Sequence, residues 1–97
     1  MQLEFHPLVS SDVSRIIQYY DEVAGPRLAD DFYAELRACL EKASKSPESY
    51  SIHERDLRRA NLERFPYHFL FRIVNERVRL LVVRHHSREP SAGTRRR

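Results

Sequence analysis

At 97 residues, 41% hydrophobic and 32% charged, the chain suits one small two-layer domain and leaves no room for a separate cofactor-binding domain. Its 2 Gly and 5 Pro exclude collagen-like and low-complexity classes, and no apolar run approaches the roughly 20 residues that cross a bilayer. The net charge of +3 is unevenly divided: residues 1–50 carry 5 Lys and Arg against 9 Asp and Glu, while residues 51–97 carry 12 Arg and no Lys against 5 acids.

Arg presents a planar fork of donors that suits phosphates and carboxylates. A half this rich in Arg points to an anionic partner, either a nucleic acid or an acidic protein segment. The other reading is a solvated basic face with a basic tail. Met1–Phe5 has neither a basic start nor a long apolar stretch, so no signal peptide is expected. The single Cys39 can neither close an internal disulfide nor build a cysteine metal site, and a cytoplasmic address is the expectation.

In chain order, Gln2–His6 alternates Leu3 and Phe5 with polar neighbours and reads as a strand stopped by Pro7. Ser10, Ser11 and Asp12 offer helix N-caps. Val13, Ile16, Ile17, Tyr20 and Ala24 then form one helical stripe, ended by Gly25-Pro26. A second helix follows from Arg27 to Ser44, with Ala29, Phe32, Leu36, Cys39, Leu40 and Ala43 on its apolar face and Ser46-Pro47 as its stop. Cys39 reads as a buried, inert thiol.

Residues 47–57 read as a loop. The period then changes to two, with a short strand at Arg58–Leu62 and a hairpin of Tyr67–Val74 and Val78–Arg84 about Asn75-Glu76. The predicted class is α+β, in the order β-α-α-β-β-β, with a two-helix hairpin on one face of a small, mostly antiparallel sheet. Residues 1–97 make a single domain whose basic tail, 91–97, is expected to be flexible.

A two-residue turn at Asn75-Glu76 pairs Ile73 with Val78, Phe71 with Leu80 and Phe69 with Val82 on the core face. Phe32, Leu36 and Leu40 join these in the predicted core. The opposite face then pairs Arg72 with Arg79, Leu70 with Leu81 and His68 with Val83, with His85 following on the same side. Two Arg beside two His suggest an anion site, provided the register holds, because a one-residue slip exchanges the faces.

Other chemistries lack support. No His or Cys spacing matches a zinc site, and adjacent His85 and His86 point to opposite faces of a strand. There is no Gly-x-Ser-x-Gly elbow, phosphate loop or dinucleotide fingerprint, so no cofactor is expected.

Four stretches carry a family resemblance over about residues 4–90. They are Phe5-His6-Pro7 with Ile16-x-x-Tyr19-Tyr20, and Leu28-x-x-x-Phe32-x-x-x-Leu36 with Ser46-Pro47. The third runs from Arg58-Arg59 through Leu62-x-x-Phe65-Pro66-Tyr67-x-x-x-Phe71-Arg72, and the fourth is Val82-Val83-Arg84-His85-His86-Ser87-Arg88-Glu89-Pro90. In order and spacing the chain resembles the RelE/ParE superfamily of type II toxin–antitoxin toxins. The Phe65-Pro66-Tyr67 pattern and the Arg88-Glu89-Pro90 exit are most similar to the ParE-like plasmid stabilisation branch.

The resemblance implies a small cytoplasmic toxin that inhibits growth and is neutralised by a cognate antitoxin. Exposed apolar surface on the isolated toxin would favour self-association. ParE-like members inhibit DNA gyrase, whereas RelE-like members cut messenger RNA in the ribosome. An inactive, antitoxin-binding module is a third reading. As a nuclease, the chain would draw on His85 or His86 as acid and Glu54 as base. In either branch Arg72, Arg79, Arg84, Arg88 and His68 are the candidate target- or phosphate-binding residues. Arg84-His85-His86-Ser87 is similar to the Arg-Tyr-His-Tyr end of YoeB-like nucleases, with Ser87 in place of the tyrosine. His68 stands where RelE-like nucleases commonly carry an arginine. Both departures lean the reading toward a ParE-like inhibitor.

Overall fold

The structure is a computed structural model that describes residues Met1–Arg97. The chain runs β1 (Gln2–Phe5), α1 (Val9–Ala24), α2 (Pro26–Lys45), a 3-10 turn (Pro47–Ser49), β2 (Ile52–Glu54), β3 (Leu57–Asn61), β4 (Tyr67–Val74) and β5 (Arg77–His85). The strands form one sheet in the order β1-β5-β4-β3-β2. β1 is parallel to β5, and every other pair is antiparallel. With both helices on one face, this is the α+β architecture that the periodicities predict. The addition is β2, inside the stretch read as a loop. It has three residues at the sheet edge with Ile52 57% exposed, too short a run to show alternation.

Gly25, at φ +87°, turns the chain between the helices, and Pro26 opens α2 where a missing N–H costs nothing. α2 buries Ala29, Phe32, Leu36, Leu40 and Ala43, close to its predicted face, while Cys39 is half-buried and burial pushes its thiol pKa up. α1 starts earlier than its polar residues suggest. Leu8 occupies the N-cap without a side-chain bond, and Ser10, Ser11 and Asp12 lie inside the helix.

The main core lies between the helices and the sheet, around Phe32, Phe69, Phe71, Val78 and Leu80, all fully buried. At one end Tyr20, Phe32, Phe65 and Tyr67 pack at ring separations of 5.2–6.1 Å, mostly edge to face. Burial there pushes the Tyr20 phenol up to about 12.

The hairpin register follows expectation near the turn: Val74 faces Arg77, Ile73 faces Val78, Arg72 faces Arg79 and Phe71 faces Leu80. Asn75 and Glu76 both take positive φ, at 51° and 60°, as a tight two-residue turn of this hand requires. Beyond Phe71 the ladder slips, and Leu70 faces Val82, Phe69 faces Val83 and His68 faces Arg84. One extra residue in β5 forms a bulge. The slip corrects three expectations. Val83, not Val82, enters the main core. Val82 instead joins Leu57, Leu70 and Leu81 in a second small cluster on the opposite face. His85 turns to the helix side, with its ring 5.1 Å from that of Tyr67, and leaves the place beside His68 to His86.

The second cluster is too small to shield itself, and residues 91–97 fold over it. Gly93 passes so close that an added Cβ would sit 2.6 Å from the Val82 side chain, and Thr94 is buried. The Arg84 guanidinium donates to the carbonyls of Glu89, Pro90 and Ala92 at 3.3, 2.8 and 2.7 Å. Arg96 reaches round the edge of β5 to form a bidentate pair with the buried carboxylate of Asp12, at 2.6 and 3.1 Å. Residues 91–97 are laid along the sheet, where Arg84 and Asp12 supply partners that composition does not reveal.

Candidate functional site

The sheet face away from the helices carries a group of basic and polar residues of the second half. β3 contributes Arg59 and Asn61, β4 contributes His68 and Arg72, and β5 contributes Arg79 and Arg84, with His86 just past its end. The bulge sets Arg84 and His86 on this face together.

At its centre is a chain of hydrogen bonds. His68 is buried and takes the Arg84 Nε–H on its Nε2 at 2.9 Å. Its own proton therefore sits on Nδ1, which faces His86 Nδ1 at 2.9 Å and donates to it. The two imidazoles stack with centroids 5.1 Å apart and planes 12° from parallel. Arg59 Nη2 approaches the same His86 nitrogen at 3.3 Å, while its Nε donates to Asn61 at 2.8 Å. Burial, followed by Arg59 and Arg84, drives the His68 pKa down to about 3. Burial, Arg59 and His85 lower that of His86. Both rings are neutral near neutral pH, and Nε2 of His86 carries that ring's hydrogen.

The other predicted residues are placed differently. Arg72 and Arg79 lie side by side, but Arg72 Nε is 3.2 Å from an Asp56 carboxylate oxygen. Arg79 pairs with Glu4 at 3.4 Å and donates to the Arg97 carbonyl at 2.6 Å. Glu54 lies at the end of β2 beside Arg55, 3.6 Å away. His85 Nδ1 accepts from the Ser87 amide and is 2.8 Å from the Ser87 hydroxyl. Arg88, just past β5, is exposed and makes no ion pair. Sequence reasoning passed over Arg59 and Asn61, although the alternation of β3 marks both as opposite in facing to buried Ala60.

The model of the ParE toxin of the type II toxin–antitoxin system parDE matches residues 3–90. The chain belongs to the ParE toxin family. No curated protein sequence matches it significantly. Among solved structures, this ParE-family chain is similar to the chromosomal ParDE system of P. aeruginosa, with a TM-score of 0.79 at 18% identity over 88% of this chain and 95% of that one. It is also similar to the E. coli RelBE toxin–antitoxin complex, with a TM-score of 0.60 at 15% identity over 90% and 98% of the two chains. At these identities the structural likeness speaks for the fold.

The same toxin fold leaves a second surface open. An apolar groove of about 1160 Å³ runs between β1, α1 and α2. Phe5 and Tyr33 line it, and both are strongly exposed for residues of their size. No helix is long and apolar enough to cross a membrane.

Proposed function

We propose that this ParE-family chain inhibits growth in the cytoplasm by binding DNA gyrase as a protein inhibitor, and that a cognate antitoxin restrains it by filling the apolar groove. The observation that carries the choice of target is the surroundings of His86 Nδ1, which lies 2.9 Å from His68 Nδ1 and 3.3 Å from Arg59 Nη2. Cutting RNA by attack of its own 2′-hydroxyl requires an acid for the leaving oxygen. A cationic imidazolium would supply it, but a second proton on His86 would sit on Nδ1, against the His68 Nδ1–H and the Arg59 guanidinium. The ring is held neutral instead. His85 is turned toward Tyr67 on the helix side, and Glu54 stands beside Arg55. An inhibitor needs surface complementarity alone, and free cations such as Arg88 are frequent anchors in protein interfaces.

The second reading is a ribosome-dependent mRNA nuclease. It is favoured by Arg59 and Arg84 on the same face as His86, where they would meet a phosphate.

The test has two arms, supercoiling by gyrase with added protein and cleavage of a ribosome-bound message. The expected result is loss of supercoiling with the message intact, and relief of toxicity by Arg88→Ala more than by His86→Ala. A message cut only on ribosomes, and spared by His86→Ala, would reverse the choice. For the partner, the product of an adjacent gene should co-purify with the toxin, and Tyr33→Glu should abolish the association. Without it, the exposed apolar side chains of Phe5 and Tyr33 at the groove should drive concentration-dependent self-association. A monomer that binds neither neighbouring product would count against the pair.

A further inference from the structure

The guanidinium that fastens the tail is itself fixed by an imidazole. Arg84 Nη1 donates to the carbonyls of Glu89, Pro90 and Ala92, while Arg84 Nε donates to His68 Nε2 at 2.9 Å. His68 passes its Nδ1–H to His86 Nδ1, also at 2.9 Å. The line therefore has one direction, Arg84 to His68 to His86, and each neutral imidazole offers it a single lone pair. His68 is 1% exposed and has no water to turn to, whereas His86 stands exposed at the end of the line.

A proton reverses such a line. An imidazole that takes a second proton is a donor at both nitrogens. Once His86 Nδ1 carries a hydrogen, His68 must present a lone pair there, and its own hydrogen moves to Nε2. That atom then meets the Arg84 Nε–H, donor against donor. One proton is taken from solvent, and the His68 hydrogen changes place by exchange with water, so the charge rises by one. A buried donor without an acceptor is costly, and Arg84 relieves the conflict by leaving its place.

The surroundings resist the uptake. His86 is faced by Arg59 of β3 and His68 of β4, with His85 beside it, and His68 is faced by Arg59, Arg84 of β5 and His53 of β2. Burial together with these groups lowers the pKa of both rings. Glu54 is an acid nearby, and it acts on Arg84. Rings freed from this setting regain proton affinity, so release of the tail and proton uptake favour each other as pH falls.

We infer that His86, His68 and Arg84 form a proton-operated latch, in which a proton on His86 reverses the line and unfastens residues 91–97 while the helix-side core stays folded. Opening uncovers the small apolar cluster of Leu57, Leu70, Leu81 and Val82, against which Gly93 packs. The device uses the chain's own groups and holds whichever target is right. A second fastening, Arg96 on buried Asp12, has its own imidazole nearby, since His6 lies among Arg96, Arg79 and Asp12.

The test measures amide protection in the isolated full chain from pH 7.5 to 5, corrected for the intrinsic pH dependence of exchange. The amides of Ala92, Thr94 and Arg96 donate to the carbonyls of Glu89, Ser91 and Gly93. Their protection should fall by about tenfold or more over this range, with that of α2 unchanged. Imidazole nitrogen spectra should show the His68 hydrogen moving from Nδ1 to Nε2. His86→Gln keeps an acceptor toward His68 and takes up no proton, so it should hold the tail at both pH values. His6→Gln should behave as the original chain does. Tail protection that is constant with pH, that falls together with that of α2, or that still falls in His86→Gln overturns the inference. So does loss of the pH response in His6→Gln, or a His68 that keeps its Nδ1 hydrogen while the tail loosens.

Discussion

The two faces of the sheet are organised by different physics. On the helix side, Phe32, Phe69, Phe71, Val78 and Leu80 exclude water by bulk, and the one buried charge, Asp12 of α1, is paired with Arg96. On the far side, a cluster of four aliphatic residues adjoins buried His68 and Arg84, and order comes from hydrogen bonds to a tail of irregular backbone. The first face tolerates chemical variation as long as volume is kept. The second depends on buried polar groups such as His68 and Arg84 finding their partners, because a buried donor left alone costs its full desolvation. Stability should therefore reside mainly in the helix-side core, and site geometry in the far face.

The largest expected effect is on the helix side. Phe71→Ala removes a fully buried ring between α2 and the neighbouring strands and should cost about 3–5 kcal/mol, read as a fall in the urea midpoint. A midpoint close to the original would mean that Phe71 does not carry the core. On the far face, Gly93→Ala drives a methyl into Val82 and should cost about 1–3 kcal/mol. It should also speed amide exchange in residues 91–97 while leaving exchange in α2 unchanged. Uniform loosening of both faces would erase the distinction.

The next effect separates the faces by pH. His68 ionises at about 3 in the folded chain against 6.5 when free, and His86 is shifted the same way. Below 6.5 the unfolded chain gains protons that the folded chain refuses. The neutral pair thus stabilises fully above about 6.5 and progressively less as pH falls toward 3. Urea midpoints should drop between pH 7.5 and 5, and His68→Asn should flatten that slope. A flat profile in the original chain would show that His68 is not held neutral by burial. The smallest effect is in the turn: Glu76, at φ +60°, occupies a left-handed position that glycine takes without strain. Glu76→Gly should raise the urea midpoint slightly, by about 0.5–1 kcal/mol of stability, and leave both faces unaltered.

What the sequence reveals follows the same division. Helix faces, strand alternation and the Asn75-Glu76 turn are local and periodic, so the hairpin and its register near the turn were legible. The bulge was not, since Leu80-Leu81-Val82-Val83 is a run of aliphatics that carries no mark of where the phase changes. That unmarked residue also placed His85 where His86 stands. Asp12 looked like a cap because caps and buried acceptors use the same residue type, and its partner Arg96 lies 84 residues away. Arg72 and Arg79 looked like an anion site because alternation reports facing and not pairing. Their acids, Asp56 and Glu4, come from other parts of the chain.

The single extra residue in β5 bears on how chains of this fold correspond. Upstream of it, an odd step along the strand exchanges helix side for far side in the ordinary way; at Leu81 and Val82, two successive side chains share one side. Removing that residue would send Arg84 and His86 toward the helices and bring His85 beside His68. Two relatives that differ by one residue here would keep similar letters at the strand exit and present different imidazoles to the same ligand. Equivalent positions past the bulge are therefore fixed by pleat, and counting residues from the Asn75-Glu76 turn would pair the wrong histidines.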